Sequence, residues 1–305
     1  MSTTTTLEPV APRLSVIVIG YAPAHLLSAC VRAIRSQVAP HGDIEVVIVA
    51  PAEHLGSTLS EIHVEVPEFR WMLAPSDYNV ARMRGLGIAA TTGRVIAMIE
   101  GDCLPAPDWV DQVLSLPAAA ATGGAVDPGQ FRSAVDWAAY FCEFAKFMSP
   151  LPGEVDQLPG ANVVYDRHAL PDASQLEREG FYETFVNAGL KTADARRYDS
   201  RVAVTNHRQW SRSTAMATRF HHGRGYAALR VDGYPLSARM PFALKSLALP
   251  AVLVGRVMSE GWRRRRFVGR MMLVLPWIIV LSVSWSVGEL AGYVAGAGSS
   301  LDQWR

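Results

Sequence analysis

The chain has 305 residues, 50% of them hydrophobic, and a formal net charge of +1. That length and apolar content suffice for one sizeable core plus an appendage, while the near-zero charge argues against a general nucleic-acid surface, which needs a large basic excess. Cys30, Cys103 and Cys142 are an odd number without paired spacing, which suits buried thiols in a reducing compartment and excludes a zinc ribbon.

Residues 1–12, MSTTTTLEPVAP, read as a disordered polar tail without the basic and apolar segments of a signal peptide. LSVIVIG (Leu14 to Gly20) is a first strand, and in the AHLLSACVRAIRSQ that follows, Leu26, Leu27, Cys30, Val31 and Ile34 share one helical face. EVVIVA (Glu45 to Ala50) and FRWMLA (Phe69 to Ala74) are further strands, and NVARMRGLGIAATTG is a helix opened by Asn79. VIAMIEGDCLPAPDWV (Val95 to Val110) begins as a buried strand and stops abruptly at Glu100 and Asp102. Nearly all-apolar strands alternating with amphipathic helices imply a Rossmann-like α/β fold, a mostly parallel sheet with helices on both faces. Neither a G-x-G-x-x-G turn nor a G-x-x-x-x-G-K-[ST] loop occurs, so no backbone cradle for phosphate is expected.

Carboxylates at the carboxyl end of such a strand sit where ligands bind. Glu100 and Asp102, one residue apart, can meet a hard divalent cation that keeps waters and substrate phosphates in its other positions. Ordinary turn and cap residues carry the same pattern. Beyond them, AAATGGAVDPGQ reads as a Gly-rich turn region, and SAVDWAAYFCEFAKFM as a helix whose aromatic stripe is either core or a face for lipid or acceptor. LPGANVVYDRHAL offers small residues before a short strand, where a ligand can approach the backbone. GFYETFVNAGLKT starts a helix with Glu183 in its first turn, either a dipole partner or a base. RRYDSRVAVTNH is a strand ending at His207, and RFHHGRGYAALR reads as a basic, Gly-containing loop, an anion site or a solvated surface.

Residues 236–305 differ in character. PFALKSLALPAVLVGRVM, about 241–258, is interrupted by Lys245, Pro250 and Arg256 and is expected to form an interfacial or re-entrant helix at a membrane. Met271 to Gly288 is uncharged for 18 residues, so a transmembrane helix over about 271–292 is expected, a buried core helix being the alternative. The Arg263 to Arg266 cluster precedes it, and the positive-inside bias puts that cluster in the cytosol.

Taken together in order, LSVIVIGYA, ARMRGLGIAATTGRVIAMIEGDC, LPAPDWV, GGAVDPG, LPGANVVYDRHAL, GFYETFVNAGL and FHHGRGYAALR resemble glycosyltransferase family 2, the inverting nucleotide-diphospho-sugar transferases of the GT-A fold. The resemblance runs from about Leu14 to about Arg230 within a domain of residues 13–235. It implies a metal-dependent, hexosyltransferase-like enzyme in which Asp102 holds Mg²⁺ or Mn²⁺ at the donor diphosphate, with Glu100 as the first carboxylate of the acidic motif. Glu183 takes the place of the general base. Tyr21 would lie against the nucleotide base, Arg82 near the donor, and His207 or Arg224 near the metal or diphosphate. Ala50, Met83 and Gly101 depart from the family's usual residues. With the C-terminal helices, the expectation is an inner-membrane enzyme with a cytoplasmic catalytic domain. It would pass a sugar to a lipid-linked (polyprenyl) or cell-surface glycan acceptor, as in polysaccharide biosynthesis. The alternative is a catalytically silent membrane scaffold that kept the fold.

Overall fold

The structure, a computed structural model, describes residues 11–54, 57–151, 157–190 and 196–304. The expected tail over residues 1–12 lies almost wholly outside them. The apolar runs form β1 (Leu14–Ile19), β2 (Ile44–Pro51), β3 (Arg70–Ala74) and β4 (Val95–Glu100), joined by α1 (Ala24–Val38), α2 (Ser57–Glu65) and α3 (Val80–Ala89). Next come β5 (Cys103–Pro105), α4 (Trp109–Leu114), β6 (Ala121–Pro128), α5 (Ala134–Phe144), β7 (Asn162–Asp166), α6 (Ala173–Glu179), α7 (Glu183–Gly189) and β8 (Arg196–Asn206). Four helices finish the chain: α8 (Arg212–Arg230), α9 (Leu236–Ser246), α10 (Leu249–Arg264) and α11 (Val268–Ala295).

The strands make one sheet in the order β3-β2-β1-β4-β7-β6-β8-β5. Its first four strands are parallel, as expected. Beyond β4 the sheet is mixed: β7 runs antiparallel to β4 and to β6, β8 is parallel to β6, and β5 is antiparallel to β8. Helices cover both faces. Leu14, Val16 and Val18 of β1 join a core with Leu27, Val31 and Ile34 of α1, while Ile17 and Ile19 point the other way, to Met83 and Ile88 of α3. Side chains alternate faces along a strand, so a strand buried on both sides is apolar throughout.

Three segments differ from the sequence reading. The Gly-rich stretch expected to be a turn is strand β6. A Cβ on Gly123 would sit 2.7 Å from Pro159 and 2.9 Å from the Tyr198 ring, and one on Gly124 would sit 2.2 Å from the Asn162 amide and the Val202 carbonyl. These glycines serve close packing, and the β6–β8 register slips between Gly124 and Ala125. The basic stretch around His221 and His222 is not a loop but the second half of α8. Gly223 faces α11, where a Cβ would lie 2.3 Å from the Trp285 carbonyl oxygen, and Gly225 faces the chain after it, where a Cβ would lie 2.9 Å from Leu301. The stretch expected as one interfacial helix is split between α9 and α10, bent by 52° at the break. Among the described residues, α11 is the one unbent helix long and apolar enough to cross a membrane.

Candidate active site

The acidic turn after β4 is held from three sides. Glu100 N–H donates to Ala161 O at 3.2 Å, Gly101 N–H to Ile19 O at 2.9 Å, and Asp102 O accepts from His207 N–H at 2.9 Å. Gly101 has no room for a side chain, because a Cβ would lie 2.7 Å from Leu27 Cδ1 and 3.1 Å from Ile19 O. Asp102 is buried, accepting from Asn206 Nδ2 at 3.2 Å and facing the Arg208 guanidinium at 3.6 Å.

α3 delivers the central cation. Asn79 caps this helix, its side chain accepting from Arg82 N–H at 2.9 Å, and that cap sets which positions of the first turns face inward. Arg84 is buried and bridges two carboxylates: Nη2 reaches Glu100 Oε1 at 2.7 Å, and Nη1 donates to Glu183 Oε2. Arg84 Nη2 also donates to Gly160 O at 3.3 Å, and a Cβ on Gly160 would lie 2.7 Å from that nitrogen. Glycine at 160 leaves the space that the Arg84–Glu183 pair fills.

Burial dominates the electrostatics. It pushes Glu100 up to about 7, with Arg84 pulling down and Asp102 pushing up. Asp102 is likewise raised by burial against the pull of Arg208. Burial opposes the charge of Arg84, yet Glu183 and Glu100 together raise its pKa.

A cavity of about 950 Å³ unites Tyr21, Arg84, Glu100, Asp102 and Glu183, and continues past Arg208, Arg219 and His222 to α10 and α11. Four of the residues expected at the site, Tyr21, Glu100, Asp102 and Glu183, thus share one cavity. Three others point elsewhere. Arg82 stacks on the Tyr78 ring, its guanidinium carbon 4.2 Å from the centroid, and pairs with Asp77 at 3.4 Å. The His207 ring meets Thr205 Oγ1 at 3.0 Å, and burial lowers its pKa against the pull of Asp102. Arg224 Nε donates to Gly296 O at 2.8 Å, tied to the chain after α11. Sequence reasoning passed over Arg84, Arg208 and Arg219, and placed His222 in a basic loop. A signal existed for Arg84, a lone charge on the otherwise apolar face made by Val80, Ala81, Met83 and Ile88.

The donor chemistry suits a hard cation. Buried Asp102 and half-buried Glu100 lie side by side at the strand end, and among the described residues no third His, Cys, Asp or Glu completes a metal-binding group with them. One or two carboxylates plus phosphate oxygens and water is how Mg²⁺-like ions are commonly held.

The family model for Glycosyl transferase family 2 matches residues 15–148. The chain is 24% identical over 106 residues to Glycosyltransferase AglE of Haloferax volcanii, a match spanning 34% of this chain and 35% of that relative. The chain thus spans about a third of the length of that curated relative. A solved structure, the mannosyltransferase PcManGT from Pyrobaculum calidifontis in complex with GDP-Man and Mn²⁺, superposes with a TM-score of 0.55 at 17% identity, covering 92% of this chain and 88% of that one. That likeness is one of fold. Residues 15–148 therefore match a glycosyl transferase family 2 domain, and the chain shares a GT-A-like α/β fold with the solved structure.

Proposed function

We propose that the protein is a membrane-associated, inverting glycosyltransferase that moves a sugar from a nucleotide-diphosphate donor to a lipid-linked or cell-surface glycan acceptor. One observation carries this reading: Asp102 and Glu183 line the same cavity, with Arg84 bonded to both Glu100 and Glu183. Tyr21, just past β1, borders the cavity where the nucleotide base would rest. Asp102 and Glu100 are the residues that would hold Mg²⁺ or Mn²⁺, whose role when bound is to neutralise the departing diphosphate. Glu183 accepts the proton of the acceptor hydroxyl as its oxygen bonds to the anomeric carbon. The bond from that carbon to the diphosphate oxygen breaks on the opposite face, which inverts the centre. Arg84 aims Glu183 by holding one of its oxygens, and Gly160 leaves room for that contact.

The far part of the cavity supports an amphiphilic acceptor. Leu249, Leu253 and Val257 of α10 line it together with Arg256 and Arg263, so apolar and cationic groups adjoin. In this reading residues 13–235 are the transferase domain and residues 236–305 the membrane-associated region, with the catalytic side in the cytoplasm. Residue 235 divides roles, not packing, because α11 lies against α8 and α5.

The test incubates the full chain in membranes with labelled nucleotide sugars, GDP-mannose and UDP-GlcNAc among them, and Mn²⁺ or Mg²⁺. Wild type should transfer or hydrolyse at least one donor. Glu183→Gln should lower turnover by roughly 10²-fold or more, and Asp102→Asn should weaken donor binding. A wild type inert toward every donor, or variants that match it, would leave the silent-scaffold reading in its place.

A further inference from the structure

Residues 236–295 present an apolar surface that the catalytic domain does not cover. Among the described residues, thirteen of the eighteen large apolar side chains that stay exposed lie within residues 236–295. Leu244 and Leu247, at the α9–α10 bend, are 64% and 66% exposed, and Leu273 of α11 is 70% exposed. Exposed apolar side chains gathered on helices that pack against one another mark an interaction surface. Basic residues rim it: residues 236–270 hold eight Lys or Arg and one acid, Glu260. Lys245, Arg256, Arg265 and Arg270 are exposed along the same helices.

The sequence alone lets α11 cross a bilayer, yet both of its ends rest on the catalytic domain. Ahead of it, Arg264 donates to Lys146 O at 2.6 Å, Arg266 reaches Asp127 Oδ1 at 2.7 Å, and Phe267 packs on Trp137 with centroids 5.4 Å apart. Behind it, Ser300 Oγ lies 3.0 Å from His221 Nδ1, Asn79 Nδ2 donates to Leu301 O at 2.9 Å, and Val80 N–H to Trp304 O at 3.1 Å. Between those ends, α11 is docked along α8. Cβ atoms on Gly288 and Gly292 would lie 2.1 Å and 2.3 Å from the carbonyl oxygens of Phe220 and Arg224. A helix of 28 residues is roughly 42 Å long. It cannot span a hydrocarbon core about 30 Å thick while both ends hold one domain on one side of it.

We infer that α9, α10 and the outer face of α11 form a one-sided seat for an anionic membrane surface, so that α11 lies along the bilayer and the chain after it stays on the catalytic side. The apolar side chains enter the acyl boundary and the basic rim meets the lipid headgroups, the arrangement of interfacial helices. The inference rests on the membrane association proposed above, and it fixes the mode of that association.

The experiment uses the full chain with one protease site before Met1 and another after Arg305, expressed in bacterial cells, and compares intact spheroplasts with inverted inner-membrane vesicles. Both sites should be cut in inverted vesicles and both protected in spheroplasts. Cleavage of the C-terminal site in spheroplasts would overturn the in-plane helix and leave membrane association standing. Purified protein should also float with vesicles containing a third phosphatidylglycerol and float at least tenfold less with phosphatidylcholine alone. The double variant Leu273→Glu, Val280→Glu, outside the catalytic cavity, should lose flotation and keep wild-type melting. Flotation indifferent to lipid charge, or a chain that only self-associates and binds no vesicle, would overturn the surface itself.

Discussion

Arg84 concentrates the chemistry of the site in one buried guanidinium between two carboxylates. Removing one partner of such a cluster leaves charges without compensation, so Arg84→Gln should cost about 3–5 kcal/mol of stability in urea unfolding. Arg84→Lys should recover only part of that loss, because a point charge lacks the planar fork that serves Glu100 and Glu183 at once. His222 offers a second test. Its Nε2 is sealed from solvent with no hydrogen-bond partner among the described residues, and burial, with Arg219, Arg208 and Arg84 nearby, pushes its pKa down to about 3. Between about 6.5 and 3 the unfolded chain therefore takes up a proton that the folded chain refuses. Stability contributed by the neutral ring is complete above pH 6.5 and declines as pH falls, by up to about 1.4 kcal/mol per pH unit. Unfolding measured from pH 4 to 7 should lose that part of its slope in His222→Gln; an unchanged slope would refute a neutral buried ring. Arg82 and Arg84 look equivalent in sequence. Only the phase of α3, set by its Asn79 cap, turns one onto Tyr78 and the other into the cavity.

Elements were legible where a strand or helix carries its own pattern. β1, β2 and β4 are continuous apolar runs, α3 announces itself by its Asn79 cap, and α5 by aromatic residues at helical spacing, Trp137, Tyr140, Phe141 and Phe144. β6 and α8 were not legible because their glycines serve partners far away in sequence: Tyr198 and Asn162 for β6, α11 and Leu301 for α8. Such glycines look like turn formers until the fold brings the neighbour in. The seam yields a paired prediction. Gly288→Val should open α8–α11, cost about 3 kcal/mol, and expose residues 231–268 to limited proteolysis. Gly255→Ala, with nothing within 4 Å of the added carbon, should be neutral or stabilise α10 by up to about 1 kcal/mol. Equal proteolysis of both variants would remove the seam as a determinant of docking.

For the molecule as a whole, the proposed donor site predicts stabilisation by linkage. A nucleotide diphosphate with Mn²⁺ at about 100 times its Kd should add about 2.7 kcal/mol to the folded state, read as a rise in melting temperature. Asp102→Asn should abolish the rise, and a rise that persists in the variant would place the cation elsewhere. Asn79 and Leu301 are hydrogen-bonded across 222 residues of sequence, and Val80 N–H, which the helix itself leaves without an acceptor at the start of α3, donates to Trp304 O. A nascent chain still on the ribosome has Glu100, Asp102 and Glu183 long before it has the residues that fasten the arginine-bearing helix. Synthesis itself thus delays the completed cleft until translation has carried the strap clear of the exit tunnel.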